Sequence, residues 1–194
     1  SKNAIISGPN ASGKTTVLKS TMFNFILSQQ IGYGFYDSAN IVPQDHFHCY
    51  INIPDTCNRD SFFQSEVRRC KNILDIIENN KDKRHFCVFD ELYSGTNPYE
   101  AIASAYSFLL YIQNYNVNIM LTTHYIQLCN LINNSNFYSN YHMNCKYNLD
   151  NTTLTYKYTI SKNISDIKGG VQVLTQLNYP ETIIKNTLKV IKNI

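Results

Sequence analysis

Short continuous apolar runs alternate along this chain with longer stretches whose apolar residues return every three or four positions. The first pattern marks strands buried on both faces, the second amphipathic helices. Asn3–Ser7 reads as a strand and Gly8-Pro9-Asn10-Ala11-Ser12-Gly13 as a glycine-punctuated turn. The spacing of Val17, Leu18, Thr21, Met22, Phe25 and Ile26 predicts a helix from Lys14 to about Gln30, ended by Gly32 and Gly34. His46–Ile53 alternates like a strand and stops at Pro54-Asp55. A second helix is predicted over Ser61–Asn79, with Phe62, Val67, Ile73, Leu74 and Ile77 on one side. Then come a strand at His85–Phe89, a helix over Pro98–Asn114 and a strand at Val117–Thr122.

After Asn133 the pattern changes. Phe137–Asn148 and Thr152–Ile160 alternate about Leu149-Asp150-Asn151 and predict an antiparallel hairpin. Two helical stretches follow, Val171–Leu177 and Pro180–Ile191. The whole predicts an α/β fold: a mostly parallel sheet flanked by helices, with an antiparallel hairpin and C-terminal helices. No repeat or linker divides residues 1–194, so one domain is expected.

Composition narrows this picture only a little. Hydrophobic content of 43% and charged content of 16% exclude a disordered chain. A net charge of +3 permits contact with nucleic acid without the strong basic excess of a dedicated DNA-binding surface. The six cysteines are irregularly spaced and form no CxxC pair, which points to reduced thiols in an intracellular compartment. Apolar runs fall well short of the ~20 residues of a membrane-spanning helix, and no signal peptide is recognisable. The chain starts without Met and almost directly on a strand, as expected of a piece of a longer protein.

Candidate chemistry concentrates where strands end. Gly8-x-x-x-x-Gly13-Lys14-Thr15 is a complete Walker A pattern between a strand and a helix. Its glycines let backbone N–H groups approach phosphate oxygens, and the helix adds its positive dipole end. Lys14 would reach the β- and γ-phosphates, and the Thr15 hydroxyl would ligate magnesium. Phe86-Cys87-Val88-Phe89-Asp90-Glu91 matches Walker B, with Asp90 toward the metal and Glu91 placed to orient water. Leu121-Thr122-Thr123-His124 also ends polar, so His124 is a candidate γ-phosphate sensor. Ser61 with Glu66 downstream reads locally as a helix N-cap. His46, His48, Cys49 and Cys57 match no closed zinc spacing, and an alternating strand accounts for the first three more simply. Arg68-Arg69 and Lys81–Arg84 read as solvated surface.

Taken in order, these motifs resemble the ATPase domain, domain V, of the MutS family of DNA mismatch repair proteins. Gly8 to Thr16 looks like that family's GPNxxGKST loop, and Ile41-Val42-Pro43 is similar to its VPA turn. Ser61–Glu66 looks like STFxxE, Asp90–Thr96 like DELxxGT, and Thr123-His124-Tyr125 like ATHY. Gly170-Val171-x-Val173 with Leu177–Glu181 resembles the closing GIxVAxLAGLP pattern. The resemblance implies a P-loop NTPase of the ABC-ATPase type that binds ATP or ADP with magnesium. The nucleotide is cradled by Gly8, Pro9, Asn10, Ala11, Ser12, Gly13, Lys14, Thr15 and Thr16. It implies head-to-tail pairing as a homodimer or MutS-type heterodimer, with Ser61 acting in trans on the partner's γ-phosphate, in competition with its N-cap reading. It also implies DNA as partner through domains absent from this chain, no membrane, and a cytoplasmic, nuclear or viral-replication-site location.

Some positions depart from the family pattern. Phe62 replaces Thr, Tyr93-Ser94 stands where Gly-Arg is common, and Asn97-Pro98 replaces Ser-Thr. Such changes occur in divergent MutS-like ATPases, viral ones included. Three other readings stay open. An ABC transporter or SMC-type ATPase would need an LSGGQ-like segment, where this chain has Asp60-Ser61-Phe62-Phe63-Gln64. The others are a nucleotide-gated interaction module without turnover, and a MutS-like ATPase acting on branched or recombining DNA.

Overall fold

A computed structural model describes residues 3–51, 62–147, 154–165, 167 and 170–193. Strands β1 (Asn3–Ser7), β2 (His46–Tyr50), β3 (His85–Asp90), β4 (Val117–Thr123), β5 (Tyr138–Tyr147) and β6 (Leu154–Lys162) form one sheet. Helices α1 (Lys14–Ile31), α2 (Phe62–Asn79), α3 (Pro98–Ile112), α4 (Ile126–Ile132), α5 (Gly170–Gln176) and α6 (Glu181–Asn193) connect and follow the strands. The sheet order is β2-β3-β4-β1-β5-β6, and only β6 runs antiparallel to its neighbour. This is the α/β, mostly parallel architecture expected from the alternation of runs.

Side-chain alternation decides which helix covers which face. Phe86 and Val88 point to the face covered by Leu18 and Met22 of α1, with Phe25, Phe47 and Met120 packed around them. Cys87 and Phe89 point the other way, into a larger core with Ile73 and Ile77 of α2, Ala105 and Leu109 of α3, and Leu128 of α4. The β1-to-β2 connection crosses one face and the returns through α2 and α3 cover the other, consistent with right-handed crossovers. Local signals set the ends of these helices. The Asn97 side chain accepts from the Glu100 N–H at 3.0 Å, with Pro98 at the first helical position of α3. Gly32 closes α1 in the left-handed region, at φ 75°.

Three features differ from the sequence reading. The buried face of α2 is Glu66, Cys70, Ile73 and Ile77, whereas Val67 is exposed, so an acidic residue belongs to the apolar stripe. The hairpin is not appended to the sheet but continues it, because β5 pairs in parallel with β1 from Asn3↔Tyr138 to Ser7↔His142. A short helix, α4, joins β4 to β5, where the apolar pattern delimits no element. Cys57, Ser61, the Pro54-Asp55 stop and the Leu149-Asp150-Asn151 turn lie outside the described residues. The five described cysteines are free, and burial pushes the Cys70 and Cys129 thiols up to about 12, which makes them inert.

Candidate functional site

Registers bring the polar strand ends to one level. Ser7 lies opposite Thr123, and Asp90 opposite Thr122, so β1, β3 and β4 stop together at the carboxyl edge of the sheet. In open α/β sheets this edge is where ligands bind. A cavity of about 550 Å³ opens there, within the size range of small-molecule sites. Its walls include Asn10, Ala11, Gly13, Lys14, Thr15 and Thr16 from the glycine loop and α1, together with Asp90 and Glu91 from β3.

The glycine loop is shaped by steric limits. Gly13 has φ 95°, and a Cβ there would stand 3.2 Å from the Tyr158 ring. Alanine would therefore be strained in backbone and crowded in space. Gly8, Pro9 and Ser12 are buried beneath the loop, whereas Asn10 and Ala11 rise into solvent. Gly13 caps α1 without any capping side chain, and no acidic residue occupies the first turn. The amides at this end of the helix therefore favour an anion.

Five predicted side chains converge. The buried Lys14 ammonium donates to the Gly8 carbonyl at 2.9 Å and the Pro9 carbonyl at 3.1 Å. It also lies 3.4 Å from Glu91 Oε1. Thr15 Oγ1 donates to Asp90 Oδ2 at 2.7 Å, and Thr122 Oγ1 donates to the other Asp90 oxygen. His124 Nδ1 is 3.3 Å from Glu91 Oε1. His124 is exposed between the buried Thr123 and Tyr125, where the Thr123 hydroxyl accepts from the Tyr125 N–H at 2.9 Å. The His124 hydrogen bond, followed by the Lys14 charge and opposed by burial, holds the Glu91 carboxyl below the usual carboxylate range. Glu91 is thus ionised at neutral pH and able to accept a proton.

Several cavity residues escaped the sequence reading, Glu66 and Tyr158 among them. Glu66, read there as part of a helix start and of the STFxxE-like segment but given no role in the site, is almost fully buried and turns toward the loop after β3. Its Oε1 accepts from the Ser94 N–H and hydroxyl, both at 3.0 Å, and its Oε2 from the Gly95 N–H at 2.8 Å. The available signal was its helical spacing to Cys70, Ile73 and Ile77, which places a carboxylate on a buried stripe. Tyr158 of β6 packs over Gly13 from 145 positions away in a strand that carries no motif, and nothing in the sequence marks it. Magnesium has a fitting pair of hard oxygen donors in Thr15 and Asp90. Among the described residues no group of three His, Cys, Asp or Glu could hold a metal by itself.

Residues 4–194 match the family model described as MutS domain V. The chain is 26% identical over 194 residues to the DNA mismatch repair protein MutS of Bacteroides fragilis, covering 98% of this chain and 22% of that protein. It is 27% identical over 192 residues to the MutS of Fusobacterium nucleatum, covering 98% of this chain and 21% of that protein. It is also similar to the endonuclease MutS2 of Acetivibrio thermocellus, at 31% identity over 156 residues, 80% of this chain and 19% of that protein. The chain therefore spans about a fifth of the length of the curated relatives it matches.

Proposed function

The chain belongs to the MutS family, through its domain V, and from that premise we propose that it binds and hydrolyses magnesium-ATP to drive a DNA-processing protein. The observation that carries this reading is the convergence of Lys14, Thr15, Asp90 and Glu91 on one cavity at the sheet's carboxyl edge, with His124 against Glu91. In this reading the domain is a P-loop NTPase of the ABC-ATPase type. The loop amides from Gly8 to Thr16 and the Lys14 ammonium hold the phosphates. Thr15 and Asp90 hold magnesium, which neutralises charge on the transferred phosphoryl group when bound.

Glu91 is the water-orienting base, and the geometry suggests how it is restrained. Lys14 is shared between two loop carbonyls and Glu91. A terminal phosphate entering the loop competes for that ammonium, so substrate binding frees the carboxylate to act on water. His124, bonded to the same Glu91 oxygen, is placed to sense the phosphate's arrival and loss. Ser61, just before α2, supplies a contact in trans when two copies pair head to tail. DNA engagement belongs to other parts of the full-length protein, and mismatch recognition is the task favoured by the two MutS relatives.

The test is phosphate release by the full-length protein with and without magnesium, alongside the Lys14→Ala variant. We expect magnesium-dependent turnover and loss of ATP binding in the variant. Unchanged nucleotide affinity in Lys14→Ala would remove the glycine loop from the site. Binding to heteroduplex, homoduplex and four-way-junction DNA then assigns the DNA task. ATP-sensitive preference for the heteroduplex supports mismatch recognition, and preference for the junction moves the function to branched DNA.

A further inference from the structure

The turn after β3 is clamped by α2 through a joint with no part in the chemistry assigned above. Glu66 is 1% exposed, and its carboxylate takes three hydrogen bonds from two consecutive residues, Ser94 and Gly95. A buried carboxylate is expensive unless its lone pairs are filled, and here two backbone N–H groups of the turn and the Ser94 hydroxyl fill them. The fit beside it is equally close. A Cβ on Gly95 would stand 2.5 Å from the Phe62 ring, 2.9 Å from Glu66 Oε2 and 3.0 Å from the Phe63 nitrogen. The first turn of α2 therefore rests directly on Gly95.

The same turn begins with Glu91. Between Glu91 and Gly95 the backbone has two non-glycine residues in the left-handed region, Glu91 at φ 52° and Tyr93 at φ 59°. Such residues hold their conformation only when their surroundings enforce it. The Glu91 N–H is fixed by the Thr122 carbonyl at 3.1 Å, which anchors the upstream end. At the downstream end, the anchors are the Glu66 bonds to Ser94 and Gly95.

We propose that Glu66 is a positioning residue for hydrolysis, holding the Glu91–Gly95 turn to α2 so that displacement of the helix start moves the water-orienting carboxylate. This inference rests on the hydrolysis reading. It assigns α2 a task of its own: the helix reports its placement to Glu91. Glutamine at position 66 keeps the shape but offers an amide N–H₂ toward N–H donors, so at least one bond is lost. Misplacing a reacting group by about 1 Å can cost about a hundredfold in rate.

The experiment measures kcat, KM and equilibrium ATP binding for the full-length wild type and the Glu66→Gln, Gly95→Ala and Ser94→Ala variants. For Glu66→Gln we expect kcat to fall about tenfold or more, with KM and nucleotide affinity within about threefold of wild type. Ser94→Ala, which removes the hydroxyl bond and leaves both backbone bonds, should show a smaller loss in the same parameter. Gly95→Ala disturbs the joint from the other side and carries the test if Glu66→Gln does not fold. A kcat within twofold of wild type in folded Glu66→Gln, or in Gly95→Ala, overturns the positioning role. So does a parallel loss of nucleotide affinity, since that marks a general structural part. A wild type without turnover sinks the hydrolysis reading and this inference with it, and is thereby distinguished from failure of the inference alone.

Discussion

Acid should weaken this fold through one buried histidine. His48 on β2 is 5% exposed, and its Nε2 lies 3.0 Å from His85 Nδ1. His85 Nε2 lies 3.0 Å from the Asn80 carbonyl, which can only accept, so that nitrogen carries a proton. In the neutral pair, His85 Nδ1 is then the acceptor and His48 Nε2 the donor. Burial first, then the neighbouring His85, His46 and Arg69, push His48 down to about 4 from 6.5. The folded state thus disfavours the charged form, and the unfolded chain binds the extra proton. Stability from this group is fully present above pH 6.5, declines as pH falls between 6.5 and 4, and is gone below. A gap of 2.5 units at about 1.36 kcal/mol each gives a ceiling of about 3.4 kcal/mol, of which about 2 kcal/mol is lost by pH 5. For a chain of this size that is roughly 4–8 °C in melting midpoint. The assay is urea unfolding of wild type and His48→Asn at pH 7, 6 and 5. Asparagine can still donate to His85 but does not titrate, so its curve should fall less steeply by about 2 kcal/mol over that span. Parallel pH dependences in the two proteins would refute the reasoning.

The remaining expectations concern the site itself. Glu91→Gln should bind ATP as wild type does and lose at least about a hundredfold in kcat, the scale of a general base. Normal turnover in single-turnover kinetics would take Glu91 out of the mechanism. Tyr93→Gly should relieve about 1–2 kcal/mol of left-handed strain but empty a buried ring site at about 3–5 kcal/mol, for a net loss of about 1–4 kcal/mol. Denaturant unfolding checks this, and a stabilised variant would show that the Tyr93 ring contributes little to the packing with Phe63 and Phe108.

What the chain shows by pattern and what it hides divide along physical lines. Continuous apolar runs such as Phe86–Phe89 identify buried strands because burial on both faces leaves no room for polar residues. The grouping of Lys14, Thr15, Asp90 and Glu91 was legible because the Walker patterns involve residues that are close in sequence or end a strand, and the structure brings these side chains together. Glu66 was hidden because its partners, Ser94 and Gly95, are 28 and 29 positions away and contribute mainly backbone N–H groups, which carry no sequence signature. Tyr158 was hidden because only the β1–β5 pairing brings the hairpin beside Gly13, and parallel pairing is set by the tertiary fold. The short α4 offers too few turns for its period to stand out.

The cavity is also where local backbone preference is most often overridden. Among the described residues six non-glycine positions have positive φ, and Ala11, Glu91, Tyr93 and Tyr158 all line or adjoin this cavity. Each costs about 1–3 kcal/mol in isolation, so they persist only because neighbours hold them. Glu91 is held by Thr122, Tyr93 by its buried ring, and the turn beyond by Glu66. A carboxylate fixed in this way needs little reorganisation when charge develops beside it, which is the source of most electrostatic catalysis. The strained backbone and the Glu66 joint are therefore two parts of one arrangement. The strain sets where Glu91 points, and the joint lets a neighbouring helix change it.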